Sequence, residues 1–141
     1  MAKSIQQSLL GTTFMSSVHT HNRLKLLSQA FGTSEDLISR LAITSSLRVG
    51  PISSDWSPSE FQGTMEVATG KSIRGKSIRG NTMFKQDLPL FLVLLAKNEP
   101  KAEKKELREL FTAHWERGIE QLCEDYDGQD WVEFLHSLSD E

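Results

Sequence analysis

Residues 70–80 of the 141-residue chain read GKSIRGKSIRG, one five-letter word written twice and closed by a third glycine. Two kinds of phosphate chemistry fit these residue types. Gly70 through Ser77 satisfies the G-x-x-x-x-G-K-[ST] pattern of a nucleotide phosphate loop, in which backbone N–H groups wrap the phosphates and a helix begins at the Lys-Ser pair. Cations displayed among small hydroxyl residues equally suit the phosphate oxygens of a nucleic-acid backbone. The surrounding letters favour the second. Gly80 interrupts the stretch where a phosphate-loop helix should be running, and no later strand ends in an acid placed to manage magnesium. Between Thr69 and Gln86 stand Lys71, Arg74, Lys76, Arg79 and Lys85, with no acid among them. The repeat contains no aromatic platform, so backbone contact without base reading is expected rather than stacking on single strands.

Other chemistry-bearing residues lead to structural readings. His19 and His21 form a His-Thr-His pair, but no neighbouring Cys, Asp or Glu completes a metal site. Arg23 and Lys25, beside them, lie off the apolar stripe of their helix and extend the cationic set. Arg40 reads as a structural residue, paired with Glu35 or Asp36. His114 has no Ser or Cys nucleophile with a visible claim to it, and is expected to be a hydrogen-bonded packing histidine. Cys123 is the single cysteine, which excludes an intramolecular disulfide and fits a reducing cytoplasm. Its neighbours Glu120, Glu124 and Asp125 should raise rather than lower the thiol pKa. No catalytic residue, metal or cofactor is therefore expected.

The elements that must position these residues are mostly helical. A short extended segment is predicted at 12–16. Leu24, Leu27 and Phe31 then mark one stripe of a helix from about His19, stopped by Gly32. A second helix starts at Thr33, with Asp36 as a rough capping box and Leu37, Ile38, Leu41, Ala42 and Ser45 as its buried face. Residues 49–63 read as a Ser- and Pro-rich loop, and 64–69 as a short strand. For the repeat itself, a two-residue turn at Gly75-Lys76 would place Ile73 opposite Ile78 in a hairpin; an irregular basic loop is the alternative. The apolar run from Leu88 reads as a helix buried on most sides, capped by Asp87 with Pro89 in its first turn. The clearest helix runs from Lys101 to about Cys123, with Leu107, Leu110, Phe111, His114, Trp115, Gly118, Ile119 and Leu122 on one face, and close helix approach at Gly118. A last short helix is expected around Trp131 and Phe134. The whole is a mainly α, compact domain of about five helices with a small β-ribbon or basic loop in the middle, spanning residues 1–141 as a single unit with a weakly structured stretch at 1–16.

The length suits one domain with one core. The longest apolar run, 88–96, is too short to cross a bilayer, so no membrane association is expected. The net charge of −3 hides a division, because residues 1–98 hold eleven Lys or Arg against six acids while 99–141 hold five against thirteen. An acidic extension over 124–141 is part of that imbalance.

Three stretches in order resemble the DndE family of DNA sulfur-modification (phosphorothioation) proteins. They are NRLKLLSQAFGTSEDLISRLAITSSL at 22–47, GKSIRGKSIRGNTMF at 70–84 and HWERGIEQL at 114–122. The cytoplasm is expected from the lone cysteine, and the resemblance implies an accessory protein, not an enzyme, that assembles as a homotetramer. It would bind double-stranded DNA, preferentially nicked, beside other proteins of the phosphorothioation machinery. By motif match it carries over Arg23, Lys25, Lys71, Lys76 and Thr82 as DNA-facing residues; Arg74, Arg79 and Lys85 join them on charge. Lys85 stands where the family pattern has a glycine after the aromatic. Rival readings from the residues alone are a ribbon-helix-helix repressor, built on the strand near Phe14 and the helical pair; a nucleotide-binding protein using Gly70–Ser77; and a helical scaffold for protein partners.

Overall fold

The computed structural model describes residues 5–61 and 72–126. The strand expected at 64–69 and the helix around Trp131 lie outside them, as do Gly70 and Lys71. The described chain runs α1 (Ile5–Leu10), β1 (Thr13–Met15), α2 (Val18–Phe31), α3 (Glu35–Val49), β2 (Ser77–Arg79), α4 (Gly80–Met83), α5 (Leu88–Asn98) and α6 (Leu107–Tyr126), with 3-10 turns at Lys85–Asp87 and Lys104–Glu106. It is a mainly α fold carrying one small antiparallel ribbon.

Local chemistry sets most boundaries. Ser17 caps α2 by accepting from Thr20 N–H, and Gly32 ends it with a left-handed φ of 65°. Ser34, rather than Thr33, caps α3 by accepting from Leu37 N–H. Pro89 sits in the first turn of α5, although Asp87 makes no side-chain cap there.

The core lies where α2, α3 and α6 meet the ribbon and α5. Phe14, Phe84, Phe111 and Phe91 form a chain of edge-on and tilted rings with centroids 4.9–6.5 Å apart. Gly118 costs α6 about 1 kcal/mol of helix propensity relative to Ala, and the return is contact: a Cβ there would lie 1.9 Å from the Ala42 carbonyl oxygen. The expected close approach is thus the α3–α6 crossing.

That crossing also corrects the buried face of α3. Ile38, Ser39, Ala42, Ile43, Ser46 and Leu47 are buried, whereas Leu37 and Leu41 are exposed. The helix turns its serines inward because α6 brings donors that need partners: Trp115 Nε1–H donates to Ser39 Oγ at 2.9 Å, and Arg117 Nε–H to Ser46 Oγ at 2.8 Å. A second correction concerns α5, which buries Leu88, Phe91 and Leu95 but leaves Leu90 59% and Val93 65% exposed. The apolar run therefore has one buried face instead of burial on most sides.

Candidate nucleic-acid interface

The second pentapeptide copy is built into the fold. Gly75 presses against β1 so closely that a Cβ would fall 1.8 Å from the Ser16 carbonyl oxygen. Lys76 and Ser16 then lock the approach, with Ser16 N–H donating to the Lys76 carbonyl and Lys76 N–H to Ser16 Oγ, both at 2.9 Å. Beyond this point β2 pairs antiparallel with β1 in the register Thr13–Arg79, Phe14–Ile78 and Met15–Ser77. Period-two alternation sends Phe14 and Ile78 into the core, and leaves Thr13, Met15, Ser77 and Arg79 exposed. The ribbon is real, but its partner strand is the predicted extended segment near Phe14, not the first copy. The hairpin turn at Gly75-Lys76 does not form. Ser77 also opens a strand where a nucleotide phosphate loop requires a helix.

The first copy is described from Ser72 onward, and it is gripped through its backbone by α2. Asn22 brackets Ser72, its Oδ1 accepting from Ser72 N–H at 2.6 Å and its Nδ2 donating to the Ser72 carbonyl at 3.3 Å. His21 Nδ1 donates to the Arg74 carbonyl at 2.8 Å. One turn of the same helix holds the chain on the other side of 62–71, because His19 Nδ1 accepts from Phe61 N–H at 3.2 Å. The His-Thr-His-Asn stretch is thus a holder for both ends of that segment. Its sequence signal was a pair of histidines without metal-ligand company.

The expected phosphate-facing residues divide. Arg23 leaves the set: its side chain is 7% exposed, donates to Ser59 O and Oγ at 2.8 Å and to Glu60 O at 3.3 Å, and pairs with Glu120 at 3.4 Å. A buried guanidinium needs such partners, so it pins the 59–60 loop to α6 instead of meeting solvent. Lys76 is half committed, with Nζ 3.3 Å from Glu35 Oε1, which His21 Nε2 also approaches at 3.7 Å. Lys25 is half-buried on α2. Arg74, Arg79, Thr82 and Lys85 are exposed, and among the described residues none of the three cations forms an ion pair. Lys85 has φ 51°, the one positive φ outside glycine among the described residues. The turn that a glycine would make easily is retained by a lysine in the left-handed region.

Two arginines outside the expected set join this side. Arg40 donates to the Thr82 carbonyl at 3.4 Å rather than pairing with Glu35 or Asp36, and Arg108 Nη2 donates to the Thr13 carbonyl at 3.1 Å, across the ribbon from Arg79. Arg108 was hidden in the acidic part of the chain; charge blocks give no signal for a single cation that a helix carries to a distant strand.

The remaining titratable cluster is interior. Arg117 donates to the carbonyls of Ser46, Gly50 and Pro51 at 2.6–3.0 Å, capping the C-terminal end of α3. His114 Nδ1 lies 2.8 Å from Ser46 Oγ and Nε2 lies 3.3 Å from Glu99 Oε1, which also accepts from Ile52 N–H at 2.8 Å. Ser46 Oγ also accepts from Arg117 Nε–H, so the hydroxyl links the His114 ring to the guanidinium. Burial and the neighbouring Arg117 charge hold the His114 pKa below its ordinary value, against the pull of Glu99. Ser46 and His114 are fully buried. This Ser–His–Glu arrangement clamps the 50–52 loop and exposes no nucleophile. The Cys123 thiol is pushed up, first by burial and then by Glu124 and Glu120, with Arg23 opposing. Among the described residues no cluster of His, Cys, Asp or Glu could hold a metal ion, and no helix is long and apolar enough to cross a membrane.

Comparison with known proteins gives a consistent family. The model of the family described as DNA sulphur modification protein DndE matches residues 14–130. The chain is similar in fold to the crystal structure of DndE from Escherichia coli B7A involved in DNA phosphorothioation modification, at 24% identity and a TM-score of 0.58, covering 80% of this chain and 97% of that one. It is also similar to a glycine-to-lysine DndE mutant involved in DNA phosphorothioation, at 22% identity and a TM-score of 0.55, covering 78% and 95% of the two chains. No curated protein matches.

Proposed function

This chain belongs to the DndE family of DNA sulphur modification proteins, and from that premise we propose that it is a non-enzymatic, cytoplasmic, DNA-binding accessory subunit of a phosphorothioation system. It grips the sugar-phosphate backbone of double-stranded DNA, preferentially nicked, without reading bases. It works as a homotetramer alongside the other proteins of the machinery.

The observation that carries this reading is the contrast between a fixed backbone and free cations. Ser72, Arg74 and Lys76 are held at their main-chain atoms by Asn22, His21 and Ser16, while the Arg74 side chain projects into solvent. Arg79, Thr82 and Lys85 continue the exposed set along the chain, and Arg40 and Arg108 flank it. Lys25, half-buried on α2, and Lys71, outside the described residues, are included in the proposed contact set on the family resemblance. A backbone already fixed need not be ordered on meeting phosphates, and cations contact any sequence alike. Lys76 must exchange Glu35 for a phosphate, a small cost for an ion pair 26% and 27% exposed.

The ribbon-helix-helix alternative is less well served, since β1 already pairs with β2 of the same chain. A nucleotide site at Gly70–Ser77 is disfavoured by the strand that begins at Ser77.

Gel-shift titration of intact, singly nicked and scrambled duplexes, with light scattering for mass, tests the proposal. Tight binding that favours the nick, ignores sequence and accompanies a tetramer mass is expected. Strong sequence preference, or no binding at low salt, contradicts it.

A further inference from the structure

Ile73 is 90% exposed, the most exposed large hydrophobic side chain among the described residues, while its twin Ile78 is 4% exposed. Among the described residues, the backbone beside it is held by side chains. The Ser72 hydroxyl accepts from Arg74 N–H at 3.3 Å and donates to the Arg74 carbonyl at 2.9 Å, closing a tight turn with Ile73 at its tip. Asn22 brackets Ser72 on one side and His21 fixes the Arg74 carbonyl on the other. Ile is branched at Cβ, which restricts χ1 and so limits the directions in which the side chain can leave the turn. Lys71 precedes it in sequence, and the exposed Arg74 follows.

We infer that Ile73 is an apolar wedge that inserts between adjacent base pairs of duplex DNA at a nick. The inference rests on the DNA-binding reading and adds to it a second kind of contact. Proteins that deform duplexes use single apolar side chains between base steps, with flanking cations on the phosphates to hold the strands while the step opens. Ile73 and the exposed Arg74 share one clamped turn here. An isoleucine beside an exposed arginine is suited to a place that is apolar within and anionic at its rim, and a base step is such a place. The cost of opening a step is lowest where one strand is interrupted, so an uncharged side chain confers the preference for nicks without any base being read.

A nicked duplex carrying a stacking-quenched fluorescent purine beside the nick tests the wedge, using the full chain. The parent protein should raise the fluorescence on binding. Ile73→Ala should bind intact duplex with the salt dependence of the parent, lose the fluorescence rise and lose the preference for nicked over intact DNA; Ile73→Leu should restore both. A rise that persists in Ile73→Ala overturns the inference, and so does a parent that binds the nicked duplex with no rise. A drop in particle mass on Ile73→Ala would show that the side chain sits against a second copy, which also overturns it. If the parent binds no duplex at low salt, the DNA reading fails and the wedge with it, whereas binding without unstacking defeats the wedge alone.

Discussion

Ser72-Ile73-Arg74 and Ser77-Ile78-Arg79 are the same three residues in the same order, and the fold uses them in opposite ways. In the second copy the isoleucine is interior, the backbone pairs with β1, and Gly75 allows an approach to Ser16 that any side chain would block. In the first copy the backbone is held from one side by Asn22 and His21, and the isoleucine stands in solvent. Residue type alone therefore does not decide whether an isoleucine supports the core or waits for a partner. What decides is whether an apolar strand partner, here Phe14, is supplied opposite it. The arginines differ less: Arg74 and Arg79 are both exposed, so both copies contribute charge but only one contributes to the core.

Substitution can break this comparison or sharpen it. The largest effect is expected for Ile78→Ala, which opens a cavity beside Phe14 and should cost about 2–5 kcal/mol in denaturant unfolding. The identical change at Ile73 should stay within about 0.5 kcal/mol. Equal costs at the two positions would refute the asymmetry. Asn22→Ala removes the bracket on Ser72 and should cost about 1 kcal/mol. Hydrogen exchange should speed up at Ser72 while the amides of β2 keep their protection; a uniform loss would mean that the copies are not held independently. The smallest effect is expected just past the second copy, where Lys85→Gly relieves a left-handed lysine. It should raise stability by up to about 1 kcal/mol, read as a higher thermal midpoint, with weaker DNA binding because a cation is lost.

Much of this architecture was legible in the sequence. The stop at Gly32 and the start at Pro89 followed from residue type, and the buried stripe of α6 from its period. The caps, by contrast, fall on Ser17 and on Ser34 instead of Thr33, and α6 begins at Leu107 instead of Lys101. Gly118 announced the α3–α6 crossing because a mid-helix glycine needs a reason. Three things were not legible. The inward face of α3 depends on Ser39 and Ser46 being buried by donors that arrive from a helix some seventy residues away. The partner of β2 is remote in sequence, whereas local spacing pointed to the neighbouring copy. Arg23 looked like Arg74 on paper, and only the contact with Ser59 and Glu120 separates them. In each case the deciding partner is distant along the chain, which is where local periodicity carries no information.

The central claim is that the exposed cations of the repeat meet DNA phosphates. Its most direct measurement is the salt dependence of duplex affinity for the parent and an Arg74→Ala/Arg79→Ala variant, with circular dichroism to confirm the fold. Two lost phosphate contacts should flatten the slope of log affinity against log salt by about 1.8, at roughly 0.9 per phosphate. A slope unchanged in the variant would contradict the account.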